Sequence, residues 1–285
     1  IASGYAGTIL RSTNGGETFV QVTSNVTGDL WGLQMINDTL GWACGTANSL
    51  TKTTDGGQTW ERIFTPGYVG SYWWIDFFEN KVGYLACDNG LILTTSNGGN
   101  NWQQKQAGNN DPLFSINIID SLHIAAVGAN GKSVYSSDAG ESWIENPSFT
   151  GWDLNCVYFV NTDTGYTIGE NLDLRRTTNR GFTWESENLN IGEWEIQLQS
   201  EENFGVAVGN SLKLYKTSND FENVIQLILN ENFSDVYFIC PDVGFALGSS
   251  LYKTQDSGLT FDKQINGPGG NSIVFVDSLV GYIGS

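Results

Sequence analysis

His123 is the only imidazole base in the chain, so any Ser-His-Asp or Cys-His arrangement would have to be built on it. It stands where the other repeats of this sequence (described below) carry a turn glycine, which reads as a structural position. Zinc asks for clustered His and Cys ligands. The four cysteines, Cys44, Cys87, Cys156 and Cys240, show no CxxC spacing, so they are expected to be buried free thiols, with neither metal nor redox chemistry. No cofactor is expected. The remaining residue types that could do chemistry are indoles with carboxylates beside them. Trp31, Trp73, Trp74, Trp152 and Trp194 have Asp29, Asp76, Asp153, Glu193 and Glu195 close by in sequence. Indoles stack on sugar rings or on apolar side chains, and paired carboxylates hydrolyse glycosides.

What positions these residues is a repeat. One eight-residue string recurs seven times: STNGGETF, TTDGGQTW, TSNGGNNW, SSDAGESW, TTNRGFTW, TSNDFENV and TQDSGLTF, beginning at residues 12, 53, 95, 136, 177, 217 and 254. Its central acid or amide falls at Asn14, Asp55, Asn97, Asp138, Asn179, Asn219 and Asp256, with spacings of 41, 42, 41, 41, 40 and 37 residues. Before each string but the first lies a glycine-bounded strand such as GWACG or GYTIG, and before that an apolar strand such as VYFIC. Each period therefore reads as strand A, strand B, a tight turn, strand C, the string as the C–D turn, and strand D. An A strand without polar alternation is expected to be buried on both faces. These periods predict an all-β chain: one seven-bladed propeller over 1–285 with four-stranded blades, its closing blade shared by about 1–22 and 269–285.

The string resembles the Asp box, or bacterial neuraminidase repeat. With its G-[WYF]-x-x-G strand it is most similar to the photosystem II assembly-factor-like propellers and to related modules of secreted bacterial proteins. Sialidases and xyloglucanase-type glycosidases share the box. Its Ser/Thr and Asp/Asn are expected to accept hydrogen bonds from turn amides, and its closing aromatic to wedge between blades. The sialidase reading implied by the box fails here, because it needs three arginines converging on a carboxylate. The five present, Arg11, Arg62, Arg175, Arg176 and Arg180, all lie at the strings. A basic residue precedes five of the strings, at Arg11, Lys52, Arg176, Lys216 and Lys253, and pairing with acidic residues of neighbouring strands is expected.

Charge narrows the partners. With 31 acidic residues against 13 basic, the net charge is −18, which leaves no footprint for nucleic acid or for an anionic membrane surface. No stretch reaches the roughly 18 apolar residues of a membrane span. The sequence opens at Ile1 rather than Met, so a leader, where there is one, lies outside it. The end of the blades opposite the strings is expected to carry the binding residues: Trp31, Trp73, Trp74, Trp152 and Trp194, with Asp153 and Glu193. The expectation is a non-catalytic protein-recognition or scaffold propeller, a monomeric module of a secreted or surface bacterial protein, its partner a protein or an extracellular glycan. The alternative is a glycan-binding or glycoside-hydrolysing propeller using the same tryptophans.

Overall fold

A computed structural model describes residues 2–3, 5–15, 18–147, 151–170, 174–186, 198–201, 204–208, 213–217, 224–228, 232–240, 242–265, 270, 272–275 and 281–283. The described residues are strands and turns, with isolated 3-10 turns and no α-helix. They fall into two compact units, 65–196 and 1–64 with 197–285.

In the 65–196 unit three four-stranded antiparallel sheets follow one another at 72–106, 113–145 and 154–186. Each runs in sequence order, so every strand pairs with the one before it, as A–B–C–D periods require. The other unit holds four-stranded sheets at 30–62, 198–228 and 233–265. It also holds a three-stranded sheet of Ala2–Ser3, Thr8–Arg11 and Val20–Thr23, and a two-stranded sheet of Ile273–Phe275 and Gly281–Ile283.

The expectation of seven four-stranded blades is therefore corrected. Six such sheets are found among the described residues. Among the described residues the terminal strands do not complete another. Gly281–Ile283 runs beside Thr8–Arg11, but the two terminal sheets share no ladder among the described residues. Counting strings counted turns, and a turn forms locally, whereas a blade needs four strands in register.

Burial also differs from expectation. Strand B is better enclosed than strand A: every residue of Gly41–Gly45, Ile124–Gly128 and Gly165–Gly169 is buried. Strand A loses cover toward its end, and Cys240, which closes Phe233–Cys240, is exposed. Both glycines of strand B make room for something. A Cβ on Gly83, Gly165 or Gly244 would lie 2.5–2.7 Å from the ring of Phe77, Phe159 or Phe238 at the end of strand A. One on Gly45, Gly128 or Gly169 would lie 1.8–2.0 Å from the carbonyl oxygen of Asp29, Pro112 or Asp153. Those same carbonyls accept the N–H groups of Thr46, Ala129 and Glu170 at 2.8–3.0 Å, so the connection into strand A is hydrogen-bonded to the exit of strand B.

Polar side chains join successive A strands. Asp76 accepts from Ile118 N (2.7 Å) and Asn117 Nδ2 (3.1 Å), and Asn117 Oδ1 accepts from Phe159 N (2.8 Å). In the other unit the buried Asp235 accepts from Ile273 N at 2.7 Å.

Candidate functional site

At one end of the sheets the eight-residue strings other than 217–224, whose turn lies outside the described residues, form turns with one hydrogen-bond plan. In 53–60, Thr53 Oγ1 accepts Gly57 N (2.8 Å) and donates to Asp55 Oδ1 (2.9 Å), which also accepts Thr59 N (2.9 Å). The Thr59 hydroxyl donates to Asp55 Oδ2 at 2.6 Å. Asn179 keeps the plan but reverses its last bond: its amide donates to Thr183 Oγ1 at 2.8 Å. A neutral acceptor therefore serves as well as a charged one. Bonds from the Thr260 hydroxyl, the Thr260 amide and Thr254 hold the Asp256 carboxyl down to about 2. Such a carboxylate suits a fixed acceptor, not a proton shuttle.

The closing Trp184 sits against the preceding sheet. Trp184 packs with Ala125 and Val127 of the 113–145 sheet and with Leu154, Val157 and Phe159 of its own. His123 lies at this end as well. Its Nδ1 is 2.8 Å from both carboxylate oxygens of Asp120, and its ring stacks on Tyr135. These contacts orient the ring within the surface.

The basic residues before the strings are not simple ion pairs. Lys52 lies 4.9 Å over the Trp42 ring, its partner across the ladder on strand B, and Lys253 lies 5.4 Å over Phe245 in the same relation. Glu61 and Asp262 face these lysines from strand D. Burial lowers the Lys52 pKa and Glu61 raises it against that. Arg11 Nε donates to the Gly56 carbonyl, 2.7 Å away in the next turn. The side chain of Lys216 lies outside the described residues. At Lys52 and Lys253 a cation–π contact is added to the facing carboxylate, because strand B carries an aromatic at that register.

The opposite end holds the tryptophans. Trp31, Trp73 and Trp74 belong to strand A itself, in Leu30–Met35 and Tyr72–Phe78, and are half-buried. Trp74 packs into the core shared by the 72–106 and 113–145 sheets. Trp73 donates its indole N–H to Asp88 Oδ1 (2.7 Å) and meets Phe114 of the next sheet edge-on at 4.6 Å. Trp152 stands on a loop, 52% exposed. Trp194, Glu193, Glu195 and Asn219 lie outside the described residues.

The carboxylates at this end tie down loops. Asp29 Oδ1 accepts Ala6 N (2.8 Å), Asp88 Oδ2 accepts Ser71 N (2.8 Å), and Asp153 Oδ1 accepts Asn130 N (2.9 Å). Asn130 Nδ2 reaches Asp111 Oδ1 at 3.2 Å. Asp76 does not belong here, being spent between A strands. No group of three or more His, Cys, Asp or Glu among the described residues could hold a metal ion.

No family model matches the chain, and no curated protein matches it. Solved structures do. The fold is that of a β-propeller. The chain is similar to YCF48 bound to D1 peptide, with a TM-score of 0.71 and 19% identity over 90% of this chain and 93% of that one. It is similar to YCF48 from Cyanidioschyzon merolae at a TM-score of 0.68 and 16% identity, with the same coverage. An ancestral GH74 enzyme matches at 0.64 and 17% identity, over 90% of this chain but 39% of its own. At such identities the likeness is one of fold.

Asp88, Asp111 and Phe114 were missed by the sequence reading. Asp88 opens the tight B–C turn Asp-Asn-Gly, and the signal was its repetition as Ala-Asn-Gly at 129–131. Asn89 and Asn130 take positive φ there (58° and 56°), which presents the turn to the neighbouring loop. Phe114 stands at the strand-A position of Trp31 and Trp73, one residue after the pairing of Leu30, Tyr72 or Leu113 with the end of strand B.

Proposed function

We propose that this chain is a non-catalytic protein-recognition module, carried by a secreted or surface bacterial protein. It would bind through the end of the blades opposite the eight-residue turns. The observation that carries the reading is the division of labour at that end of the 65–196 unit. Trp73, Phe114 and Trp152 present aromatic surface, while Asp88, Asp111 and Asp153 bond loop amides or neighbouring side chains. Carboxylates that anchor loops make a rigid recognition surface, whereas a glycosidase needs one as acid and another as base or nucleophile. The similar propeller bound to D1 peptide supports a peptide as the class of ligand. A photosystem role is not part of the proposal.

The glycan reading has one observation in its favour: Trp73 beside Phe114 is a half-open aromatic ledge of the kind a sugar ring stacks on. Peptide-display selection against the intact chain, run beside reducing-end release from xyloglucan, separates the two. Selected peptides whose binding is lost in Trp152→Ala, with no release of reducing ends, support recognition. Xyloglucan cleavage would overturn it.

A further inference from the structure

The connections at the recognition end of the 65–196 unit carry one sign of charge. Among the described residues, the segments 65–71, 88–90, 107–112, 129–131, 146–147 and 151–153, with Glu170, contain Asp88, Asp111, Asp153 and Glu170, and no Lys or Arg. The nearest cation in sequence, Lys132, directly precedes the strand Ser133–Ser136 and is 2% exposed. Its ammonium donates to the carbonyls of Asn109 (2.6 Å) and Asp111 (3.2 Å), so its charge is turned into the protein.

The acids and the aromatic surface form a strip of two contact groups, joined through the chain between Asp111 and Phe114. Asp88 holds Ser71 and Trp73, Trp73 touches Phe114, and Asn130 bridges Asp111 to Asp153, next to Trp152. Val69, 86% exposed, and Trp152, 52% exposed, stand at its two ends. A carboxylate that has accepted one N–H can still accept from a guanidinium or ammonium, since it offers about four lone-pair sites.

We propose that this strip binds a basic, extended peptide segment, with Lys or Arg heads at Asp88, Asp111 and Asp153 and the apolar stems along Trp73, Phe114 and Trp152. This rests on the protein-recognition reading and adds the chemistry of the partner. Arginine suits both halves of the strip, because its guanidinium stacks on indole faces and pairs with carboxylates. A net charge of −18 draws such a partner in and disfavours acidic ones.

The test is titration calorimetry on the whole chain with three synthetic peptides of equal length and apolar content, carrying Arg, Gln or Glu at alternate positions. The Arg peptide is expected to bind, more weakly as salt rises from about 0.05 to 0.3 M. Asp153→Asn keeps the acceptor for Asn130 N and should weaken it about 5-fold, the scale of one partly exposed charge pair. Glu141→Gln removes the same charge at the opposite end and should leave it unchanged; melting temperatures confirm that both variants fold. Equal weakening by the two would mean attraction to overall charge and overturn the site. A Gln peptide that binds as tightly would overturn the basic partner while leaving peptide recognition standing. Binding of a xyloglucan oligosaccharide with none of the peptides, or of no ligand at all, would overturn both.

Discussion

Trp184 donates its indole N–H to the Ser133 hydroxyl, 3.1 Å away on strand C of the preceding blade. Trp143 occupies the same place in its own turn, but the residue three before the preceding string is Ile92, not serine, and the Trp143 indole nitrogen has no hydrogen-bond partner among the described residues. A buried donor with a partner contributes about 1 kcal/mol net, while one without carries a desolvation cost. Trp184→Phe should therefore cost about 1–2 kcal/mol more than Trp143→Phe. Urea midpoints of the two variants decide it, and equal losses would sink the argument.

The fourth position of the turns supplies a second prediction. Gly56 and Gly98 take φ of 68° and 66° there, and Ala139 is held at 58°. The left-handed region costs a non-glycine residue about 1–2 kcal/mol, partly offset by glycine's greater freedom when unfolded. Ala139→Gly should raise stability by about 0.5–1 kcal/mol. Gly140→Ala should do the reverse and by more: at φ 78° its Cβ would lie 2.8 Å from the Tyr84 ring, whose hydroxyl donates to the Ala139 carbonyl. Thermal melts of the pair should move in opposite directions, and a fall in both would refute the backbone account.

The repeat made strand order and the turn acceptors legible, because Ser/Thr and Asp/Asn at fixed offsets act within eight residues. What it could not show was set across longer range. The ladder that places Lys52 over Trp42 and Lys253 over Phe245 joins residues ten and eight apart whose pairing depends on register. In sequence Asp76 reads as a site acid because it follows two tryptophans, yet it accepts from Ile118 N of the next blade. Trp73 and Trp74 looked alike in sequence. Strand alternation sends one to Asp88 and the other into the core.

Asp235 gives the pH prediction. Burial pushes its carboxyl up to about 7 from 3.8, opposed by bonds from Ile273 N, the Ser272 hydroxyl and Val236 N. Because the folded-state pKa lies above the unfolded one, the neutral acid is the form the fold favours. Its contribution is complete below pH 3.8 and is lost as pH rises through about 7. The full loss at pH 8 is on the order of 4 kcal/mol. Asp235→Asn is neutral throughout, so its stability relative to the parent should rise by a few kcal/mol between pH 5 and pH 8. A difference that stays constant with pH would show that Asp235 is not buried as described.

The recognition reading makes the last prediction through the contrast between Trp152 and Trp184. Trp152 is 52% exposed, whereas Trp184 is 8% exposed among Val157, Phe159 and Leu154. Truncating a buried tryptophan leaves a cavity and costs about 3–5 kcal/mol. Truncating an exposed one changes stability by about 0.5 kcal/mol. Trp152→Ala should therefore melt with the parent chain yet lose about 10-fold or more in affinity for a selected peptide, as an exposed aromatic anchor does. Trp184→Ala should lower the melting temperature sharply and, measured well below it, bind as the parent does. If Trp152→Ala keeps full peptide affinity, the aromatic end of these blades is not the recognition surface.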